Sequence, residues 1–415
     1  MTVDFDIAVV GAGLVGLTIA VLLARQSVVA PGRIAVFDRR IPESLDPAKP
    51  LPIDLRVFAL SRASEKILRA ADAWSDIAAT RVAPYERMQV WHADVPPHGG
   101  DALVFDAAEM GERDLGVIAE NSVLQAALAG AARRAGVQLV TADIGALEQD
   151  RDAVMLQAGG RRVRASLVVG ADGAQSRIRE LAGLAATRTD YGQIAIVAMV
   201  STDRPHERTA WQRFLGDGTL AFLPLMDGRS SIVWSLPTAD AERLLTASDA
   251  EFLAELGAAS LGCVGELTAC SKRVSFPLQA LHALKYTAPR VALLGDAAHT
   301  VHPLAGQGMN LGILDAASIA AVVEDALLAG EDVGDLKVLR RYERQRKGDN
   351  LAMLAAFDGL NRLFRLPGWA SPARSLGLRV VEAAPPVKRL LMQKALGLEA
   401  GRRHQVRWSR AELQA

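Results

Sequence analysis

Short apolar runs recur along the chain, and three of them are followed at once by glycine. The first run, at residues 6–10, predicts a short buried strand. A helical pattern follows at residues 17–24, and a second apolar run at residues 34–37 predicts another strand that ends at Asp38. Strand, helix and strand in this order are typical of an α/β fold with a parallel sheet.

Similar runs return later in the chain. Residues 167–169 and 291–294 predict two more strands, and a helical pattern extends from residue 313 to about residue 328. Between these strands, residues 186–284 alternate short apolar runs with turns. Three of these runs predict a sheet able to wall a substrate pocket: 194–200, 220–225 and 231–236.

The glycines after the first strand form a G-x-G-x-x-G motif, with Gly11, Gly13 and Gly16. Asp38 follows 22 residues after Gly16, where the acidic residue of a dinucleotide fold meets a ribose hydroxyl. The motif allows a tight turn and a close backbone approach, and it places a pyrophosphate on the helix N-terminus. It predicts dinucleotide binding and leaves NAD and FAD open.

Two further glycine clusters follow predicted strands. The sequence Gly170-Ala171-Asp172-Gly173 comes after the third strand, and Gly295-Asp296 comes after the fourth. The second of these runs into a glycine-rich loop that opens the predicted helix at 313–328. The carboxylate can accept hydrogen bonds from sugar-alcohol hydroxyls, and the helix end stabilises negative charge. We therefore expect a large polar cofactor.

The three clusters together resemble the class A flavoprotein monooxygenases, the aromatic hydroxylases that share the fold of p-hydroxybenzoate hydroxylase. Residues 302–312 read HPLAGQGMNLG and are similar to a signature of the ubiquinone-biosynthesis hydroxylases. Two other segments are similar to the same group, DLRVFALS at 54–61 and LGVIAEN at 115–121. The likeness runs from about residue 5 to residue 365.

The resemblance implies an FAD-dependent hydroxylase of ubiquinone biosynthesis that acts on a polyprenylated phenol or quinol. In such enzymes NADH or NADPH reduces FAD as a transient co-substrate, O2 adds to give a C4a-hydroperoxide, and an electron-rich ring takes the distal oxygen. Two alternatives stay open. One is a class A monooxygenase acting on a small soluble aromatic acid, and the other is a non-catalytic flavin-bearing scaffold of the quinone pathway.

The motifs and the resemblance together predict which residues meet the cofactor. They are Gly11, Gly13, Gly16, Asp38, Arg56, Gln125, Asp172, Gly173, Gly295, Asp296, Pro303, Gly306, Gln307, Gly308, Met309 and Asn310. Neither the motifs nor the resemblance assigns a catalytic residue. His299 and His302 are candidate acid–base groups, with the alternative that they shape the loop, and no metal site is expected.

Because three distant motifs must converge on one ligand, we predict a discontinuous, Rossmann-like FAD-binding domain. It comprises residues 1–75, 105–185 and 285–345. A β-sheet substrate domain is inserted as residues 76–104 and 186–284, and residues 346–415 form a helical C-terminal region. Four aromatic residues of the substrate domain are candidates either to flank an aromatic ring or to pack in the core: Trp211, Phe214, Phe222 and Trp234.

The composition of the chain indicates its compartment and the partners that it does not favour. The 47 basic and 47 acidic residues cancel, which gives no support to nucleic-acid binding. Two cysteines, Cys263 and Cys270, cannot form a disulfide framework, and if their segment is helical they share one face and pack in the core. No signal peptide or membrane span is apparent. We therefore expect a cytoplasmic protein, either free or peripheral at the inner face of the membrane.

Although the net charge of the chain is zero, its C-terminal region is basic. Residues 358–398 carry seven Lys or Arg and two Asp or Glu, a net charge of +5, set among apolar residues. One interpretation is a surface that meets a membrane or other ubiquinone-biosynthesis proteins. The other is a helical cap whose apolar face packs on the main body.

Overall fold

The computed structural model describes residues 3–92, 95–97, 102–301 and 308–364, together with Ala384 and Lys388. The helices of these residues are α1 Leu14–Arg25, α2 Arg62–Ala70, α3 Trp74–Thr80, α4 Asn121–Arg134, α5 Arg177–Leu181, α6 Thr238–Thr246, α7 Asp249–Ser260, α8 Gly308–Leu328 and α9 Leu336–Phe364. The predicted helices at 17–24 and 313–328 are the inner parts of α1 and α8.

The strands of the described residues fall into three sheets. In chain order they are β1 Phe5–Val10, β2 Ile34–Asp38, β3 Val57–Leu60, β4 Val82–Tyr85, β5 Arg87–His92, β6 Leu103–Asp106, β7 Gly116–Glu120, β8 Gln138–Thr141, β9 Ile144–Gln149, β10 Val154–Ala158, β11 Arg161–Gly170, β12 Ala186–Thr202, β13 Thr209–Phe214, β14 Thr219–Pro224, β15 Ser230–Pro237, β16 Leu267–Cys270, β17 Val274–Ala283, β18 Thr287–Ala288, β19 Val291–Leu293 and β20 His299–Thr300.

The first sheet has the strand order β18-β19-β11-β1-β2-β8, and β10 and β9 continue it as an antiparallel meander. Strands β19, β11, β1, β2 and β8 run parallel. These strands are apolar along most of their length because helices such as α1 and α8 cover the sheet. The predicted α/β fold is confirmed, and the carboxyl ends of β1, β11 and β19 lie side by side.

The second sheet has the order β20-β17-β12-β15-β14-β13-β5-β6, with β16 paired to β12. One face packs under α6 and α7, because alternate residues of β12, β14 and β15 are apolar and point to that side. The other face meets a small three-stranded sheet with the order β3-β7-β4. The apolar layer between the second sheet and the small sheet is the third core cluster of the protein.

Two strand pairings cross the predicted domain boundaries. Strand β6 belongs to the second sheet although its second half, Phe105 and Asp106, falls in the predicted segment 105–185. Strand β20 pairs with β17, which joins the predicted FAD-binding segment 285–345 to the substrate sheet. The division into the two domains therefore stays a proposal.

The segment that joins the two cysteines is not helical, so the condition for a shared helical face is not met. Cys263 follows α7 in a turn, because Leu261 and Gly262 adopt positive φ and end the helix, and Cys270 is the last residue of β16. Both side chains still pack in the core under the second sheet. Burial raises the pKa of the Cys263 thiol to about 12, so the thiol stays protonated near neutral pH.

Most of the predicted basic C-terminal segment at 358–398 lies outside the described residues. One of its described ion pairs joins Arg362 to Asp358 at 2.8 Å, and another joins the buried Lys388 Nζ to the Glu109 carboxylate, at 3.0 Å to Oε1 and 2.9 Å to Oε2. Lys388 therefore lies beside the 3-10 turn Ala107–Met110 that follows β6. Among the described helices, none has the length and apolarity that crossing a bilayer requires.

Candidate functional site

Three loops that carry the glycine clusters meet at one edge of the first sheet. They follow β1, β11 and β19, which are parallel neighbours, so their carboxyl ends coincide. The backbone joins them directly, since Ala171 N donates to Val10 O at 2.8 Å and Leu294 N donates to Gly170 O at 2.9 Å. The predicted convergence of residues 11–16, 170–173 and 295–296 is therefore present in the fold.

Glycine is required where the first loop turns into α1. Gly11 has a φ of +112°, and a Cβ on Gly16 would lie 1.9 Å from the Gly11 carbonyl oxygen. Gly13 differs, because a Cβ there meets no atom within 4 Å. No side chain caps the helix at Gly13, so the first N–H groups of α1 face open space and can bind an anion.

A cavity of about 500 Å³ opens where the first two loops meet. Its lining includes Gly11, Gly13, Asp38, Asp172 and Gly173. The Asp38 carboxylate lies at the end of β2 and accepts a hydrogen bond from Ala12 N at 2.7 Å, which holds it beside the glycine loop. An acidic group next to an open helix N-terminus fits a ribose and a pyrophosphate side by side.

The Asp172 side chain holds the Asp-Gly loop itself. Its carboxylate accepts hydrogen bonds from Ser176 Oγ at 2.5 Å and from the backbone N–H groups of Arg177 and Ile178 at 2.7 and 3.1 Å. These contacts anchor the start of α5 and leave Gly173 facing the cavity. The Asp172 carboxylate is thus used inside the loop. The contact with the cofactor that was predicted for Asp172 would therefore come from the loop that it anchors.

Residues Gly295–Ala297 form a single 3-10 turn at the end of β19. The carboxylate of Asp296 accepts no hydrogen bond from the described part of the chain. Burial raises the pKa of Asp296, while the charges of His299 and Arg56 act to lower it. A half-buried carboxylate with open lone pairs is suited to accept hydrogen bonds from a polyol.

Behind this turn lies a buried carboxylate that the sequence analysis did not identify. Asp315 of α8 is fully buried, and its Oδ2 accepts hydrogen bonds from Gly295 N at 3.1 Å and from His299 Nε2 at 2.5 Å. Its Oδ1 accepts from Arg346 Nε at 2.7 Å and from Asn350 Nδ2 at 3.2 Å. The carboxylate thus joins the Gly-Asp turn to both long helices.

The charge of Asp315 is fixed by its partners. Burial alone would raise the pKa of this carboxyl, but the charges and hydrogen bonds of His299 and Arg346 lower it to about 2. Because an ionised carboxylate only accepts hydrogen bonds, His299 carries a proton on Nε2. His299 is therefore a positioning residue here, while its Nδ1 is buried without a partner in the described residues.

The side chain of Asn310, at the start of α8, also joins separate elements through hydrogen bonds. Its Oδ1 accepts hydrogen bonds from Ser61 N at 2.9 Å and Ser64 Oγ at 2.7 Å, and its Nδ2 donates to Ala59 O at 2.8 Å. The side chain therefore fixes α8 to the β3–α2 connection. A cofactor contact at Asn310, as predicted, would fall to its backbone.

The segment with Arg56 is held from β7 and α4. Asp54 N donates to Glu120 Oε2 at 2.8 Å, and the Asp54 carboxylate accepts from Arg56 N at 3.0 Å and Ser122 N at 3.0 Å. The two segments singled out at 54–61 and 115–121 therefore contact each other. Gln125 lies half-buried on α4 just beyond this junction.

Several predicted residues fall outside the described residues, namely His302, Pro303, Gly306 and Gln307. Gly308 and Met309 are described and begin α8. The candidate aromatic residues of the second sheet are core residues, since Phe222 and Trp234 pack beneath α7 and Trp211 makes an edge contact with Trp91. Phe214 packs in a small cluster at β5 and β6.

A second cavity, of about 200 Å³, lies between the small sheet and the second sheet. Its lining is Ile53, Arg81, Val82, Ala83, Ile118, Ala119, Glu120, Met199, Leu225, Met226 and Asp227. Arg81 donates to Glu120 at 2.7 and 2.9 Å and to two backbone carbonyls. The guanidinium is thus fully engaged within the protein.

Comparison with known families agrees with this geometry. A model of the FAD binding domain family matches residues 4–354, which is most of the chain. The chain belongs to the FAD binding domain family. Its cofactor is FAD, and the predicted flavoprotein hydroxylase family is confirmed.

Two curated relatives in this family match almost end to end. The 3-demethoxyubiquinol 3-hydroxylase of Escherichia coli (strain K12) is 36% identical over 407 residues, which covers 95% of this chain and 98% of that protein. Ubiquinone hydroxylase UbiL of Rhodospirillum rubrum is 37% identical over 397 residues, with coverage of 94% and 89%. The solved p-nitrophenol 4-monooxygenase PnpA from Pseudomonas putida DLL-E4 shares the fold, with a TM-score of 0.74 at 19% identity over 95% of this chain and 99% of that chain.

The residues present fit FAD. The open N-terminus of α1 at Gly13 and the carboxylate of Asp38 border the larger cavity, and the carboxylate of Asp296, which has no hydrogen-bond donor among the described residues, lies on the loop after β19. We propose that these groups hold the pyrophosphate, a ribose hydroxyl and the ribityl chain, in that order.

The variants Gly13→Ala and Gly16→Ala together test the placement of the pyrophosphate at the N-terminus of α1. The added methyl of Gly13→Ala points into open space, so the FAD-free protein should keep its free energy of unfolding within about 1 kcal/mol while the Kd for FAD rises at least about tenfold. Gly16→Ala should lower the free energy of unfolding as well, because its methyl meets the Gly11 carbonyl. Calorimetric titration and urea unfolding measure both quantities. Unchanged FAD affinity in Gly13→Ala would remove the pyrophosphate from this helix end.

Asp315→Asn should lower the free energy of unfolding by about 3 kcal/mol, because it removes the one buried carboxylate described beside the buried Arg346 charge and leaves it only the exposed Asp349. It should also release FAD more readily, since the Gly-Asp turn loses its support. Asp349→Asn is the matched control, because Asp349 contacts the same arginine at 3.3 Å but is 49% exposed. The control should change the free energy of unfolding by less than about 1 kcal/mol. Equal effects in the two variants would contradict the proposed role of Asp315.

The stabilisation by Asp315 should depend on pH in a defined direction. Its pKa is lowered in the folded state, so the contribution is fully present above the unfolded pKa of about 4 and is lost as the pH falls toward about 2. The difference in free energy of unfolding between the wild type and Asp315→Asn should therefore be constant from about pH 7 to about pH 5 and smaller at about pH 3. A difference that grows on acidification would reverse the assigned pKa shift.

Proposed function

We propose that this protein hydroxylates the ring of a polyprenylated phenol or quinol in ubiquinone biosynthesis, using FAD, NADH or NADPH, and O2. The flavoprotein family supplies the reaction class, and the names of the two curated relatives supply the pathway. The single observation in this chain that carries the choice of substrate is the apolar cavity between the small sheet and the second sheet. It suits a hydrophobic ring substituent.

The protein residues bind and orient the reactants. When bound, FAD supplies the two-electron chemistry through which O2 oxygenates an aromatic ring. The first turn of α1 and Asp38 bind its dinucleotide end, and Asp296 holds the polyol chain. Asp315 fixes the position of Asp296 through Gly295 N and His299. The apolar layer between the two sheets keeps water from the ring.

A small aromatic acid is the weaker candidate. Such a substrate needs a cationic group to bind its carboxylate. Arg81 is the arginine that lines the apolar cavity, and it is already engaged by Glu120 and by the carbonyls of Leu51 and Pro52. A non-catalytic scaffold is also disfavoured, because it would not need an apolar cavity able to take a substrate.

We also propose that the basic C-terminal segment at 358–398 brings the protein to the inner face of the membrane, where a polyprenylated substrate resides. The proposal rests on the charge of +5 and on the apolar residues around it. Flotation with vesicles of anionic and of neutral lipids tests it. Binding to the anionic vesicles alone supports the proposal.

Deletion of the gene should cause one hydroxylation intermediate of ubiquinone to accumulate, with a loss of ubiquinone itself. Mass spectrometry of the extracted quinones measures both and identifies the ring position. A plasmid with the wild-type chain should restore the profile, and a plasmid with Gly13→Ala should restore less of it. An unchanged quinone profile in the deletion strain would contradict the proposed function.

A further inference from the structure

We propose that the apolar cavity between the small sheet and the second sheet binds the isoprenoid tail of the substrate, with Ile53 and Met226 at its entrance. This inference rests on the proposed function and assigns the tail to particular residues. The cavity is called the tail site below, and its lining is that of the second cavity described above.

The walls of the tail site are apolar on both sides. Val82 and Ala83 of β4 and Ile118 of β7 form one wall, and Met199 and Leu225 face them from the second sheet. Most of these side chains belong to the third core cluster, which continues to Leu55 and Val57. Transfer of an isoprenoid chain from water into such surroundings is favourable by about 25 cal/mol for each Å² buried.

The charged residues at the tail site are already neutralised. Arg81 and Glu120 form one ion pair. Asp227 forms another with Arg229, whose guanidinium donates to the carboxylate at 2.6 and 2.9 Å. An ionic occupant would have to break a pair and leave a charge without its partner, which is costly. The electrostatics therefore favour a neutral, apolar occupant.

The entrance carries exposed apolar side chains. Met226 is 68% exposed and Ile53 is 50% exposed, and both line the tail site. Two large exposed apolar residues at the rim of an apolar cavity indicate a ligand that enters there. The flexible thioether of Met226 is well suited to a chain of variable conformation.

Hydrogen bonds join the wall of the tail site to the segment that carries Arg56. Strand β7 forms the wall at residues 118–120, and the Glu120 carboxylate accepts a hydrogen bond from Asp54 N. Asp54 in turn holds Arg56, whose charge acts on Asp296. The Glu120 carboxylate thus connects the wall of the tail site to the segment that carries Arg56.

The volume of about 200 Å³ is below the 300–1,000 Å³ usual for a whole drug-sized ligand. The tail site therefore holds only the first part of a long isoprenoid chain. The rest of the chain leaves between Ile53 and Met226, which explains why these two side chains are apolar although they are exposed.

The test compares the affinity for farnesylated guaiacol with that for guaiacol, which has the same ring without the tail. Equilibrium dialysis against the FAD-loaded enzyme gives each Kd. Met226→Asp should raise the Kd for the farnesylated phenol at least about tenfold, because it places a charge in the path of the tail. It should leave the Kd for guaiacol within about twofold.

Two further variants control for other effects. Met226→Leu keeps the entrance apolar and should bind the farnesylated phenol within about twofold of the wild type. Leu328→Asp adds the same charge at an apolar residue that is 72% exposed at the end of α8, and it should change neither Kd. Flavin absorbance and thermal unfolding confirm that each variant is loaded and folded.

The outcomes separate this inference from the proposed function. Equal loss of affinity for both phenols in Met226→Asp, or no loss for either, would overturn the tail site. Mass spectrometry of the products tests the function on its own. If the wild type hydroxylates farnesylated guaiacol and Met226→Asp binds it equally well, the function stands and the tail site falls. If the wild type binds the tailed phenol but oxidises neither, the proposed function falls.

Discussion

The buried carboxylate of Asp315 connects the parts of this protein that must act together. It accepts hydrogen bonds from Gly295 N and His299 on one side and from Arg346 and Asn350 on the other. A buried charge is stable only when every lone pair is used in this way. The position of the Gly-Asp turn therefore depends on α8 and α9 together, and a change in either helix reaches the flavin site.

The second constraint is the parallel order of β19, β11 and β1, which brings three loops from distant parts of the chain to one edge. The same edge meets the small sheet through Asn310 and through the Asp54–Glu120 contact. The small sheet thus connects the edge that carries the dinucleotide site with the apolar cavity. The small sheet therefore lies between the proposed flavin site and the proposed tail site, with contacts to both.

Local patterns were enough to predict the first strand, helix and strand to within a few residues, as well as the convergence of the glycine clusters. They did not predict the bond between Asp315 and Arg346, which are 31 residues apart on different helices and belong to no recognised motif. The available signal was an aspartate among the apolar residues of the first half of α8. The pattern left open whether the segment of the two cysteines is helical, and positive φ at Leu261 ends α7 before it. Strand β12 extends well beyond the predicted 194–200 because its ends pair with β17 and β16.

The central claim is that the protein transfers one oxygen atom from O2 to the ring of a prenylated phenol. The most direct test incubates the purified protein with FAD, NADH or NADPH, and farnesylated guaiacol under heavy-isotope O2, and measures the product by mass spectrometry. The account predicts a ring-hydroxylated product that carries one heavy oxygen atom. Hydrogen peroxide as the only oxygen product, or a hydroxyl group whose oxygen comes from water, would contradict it.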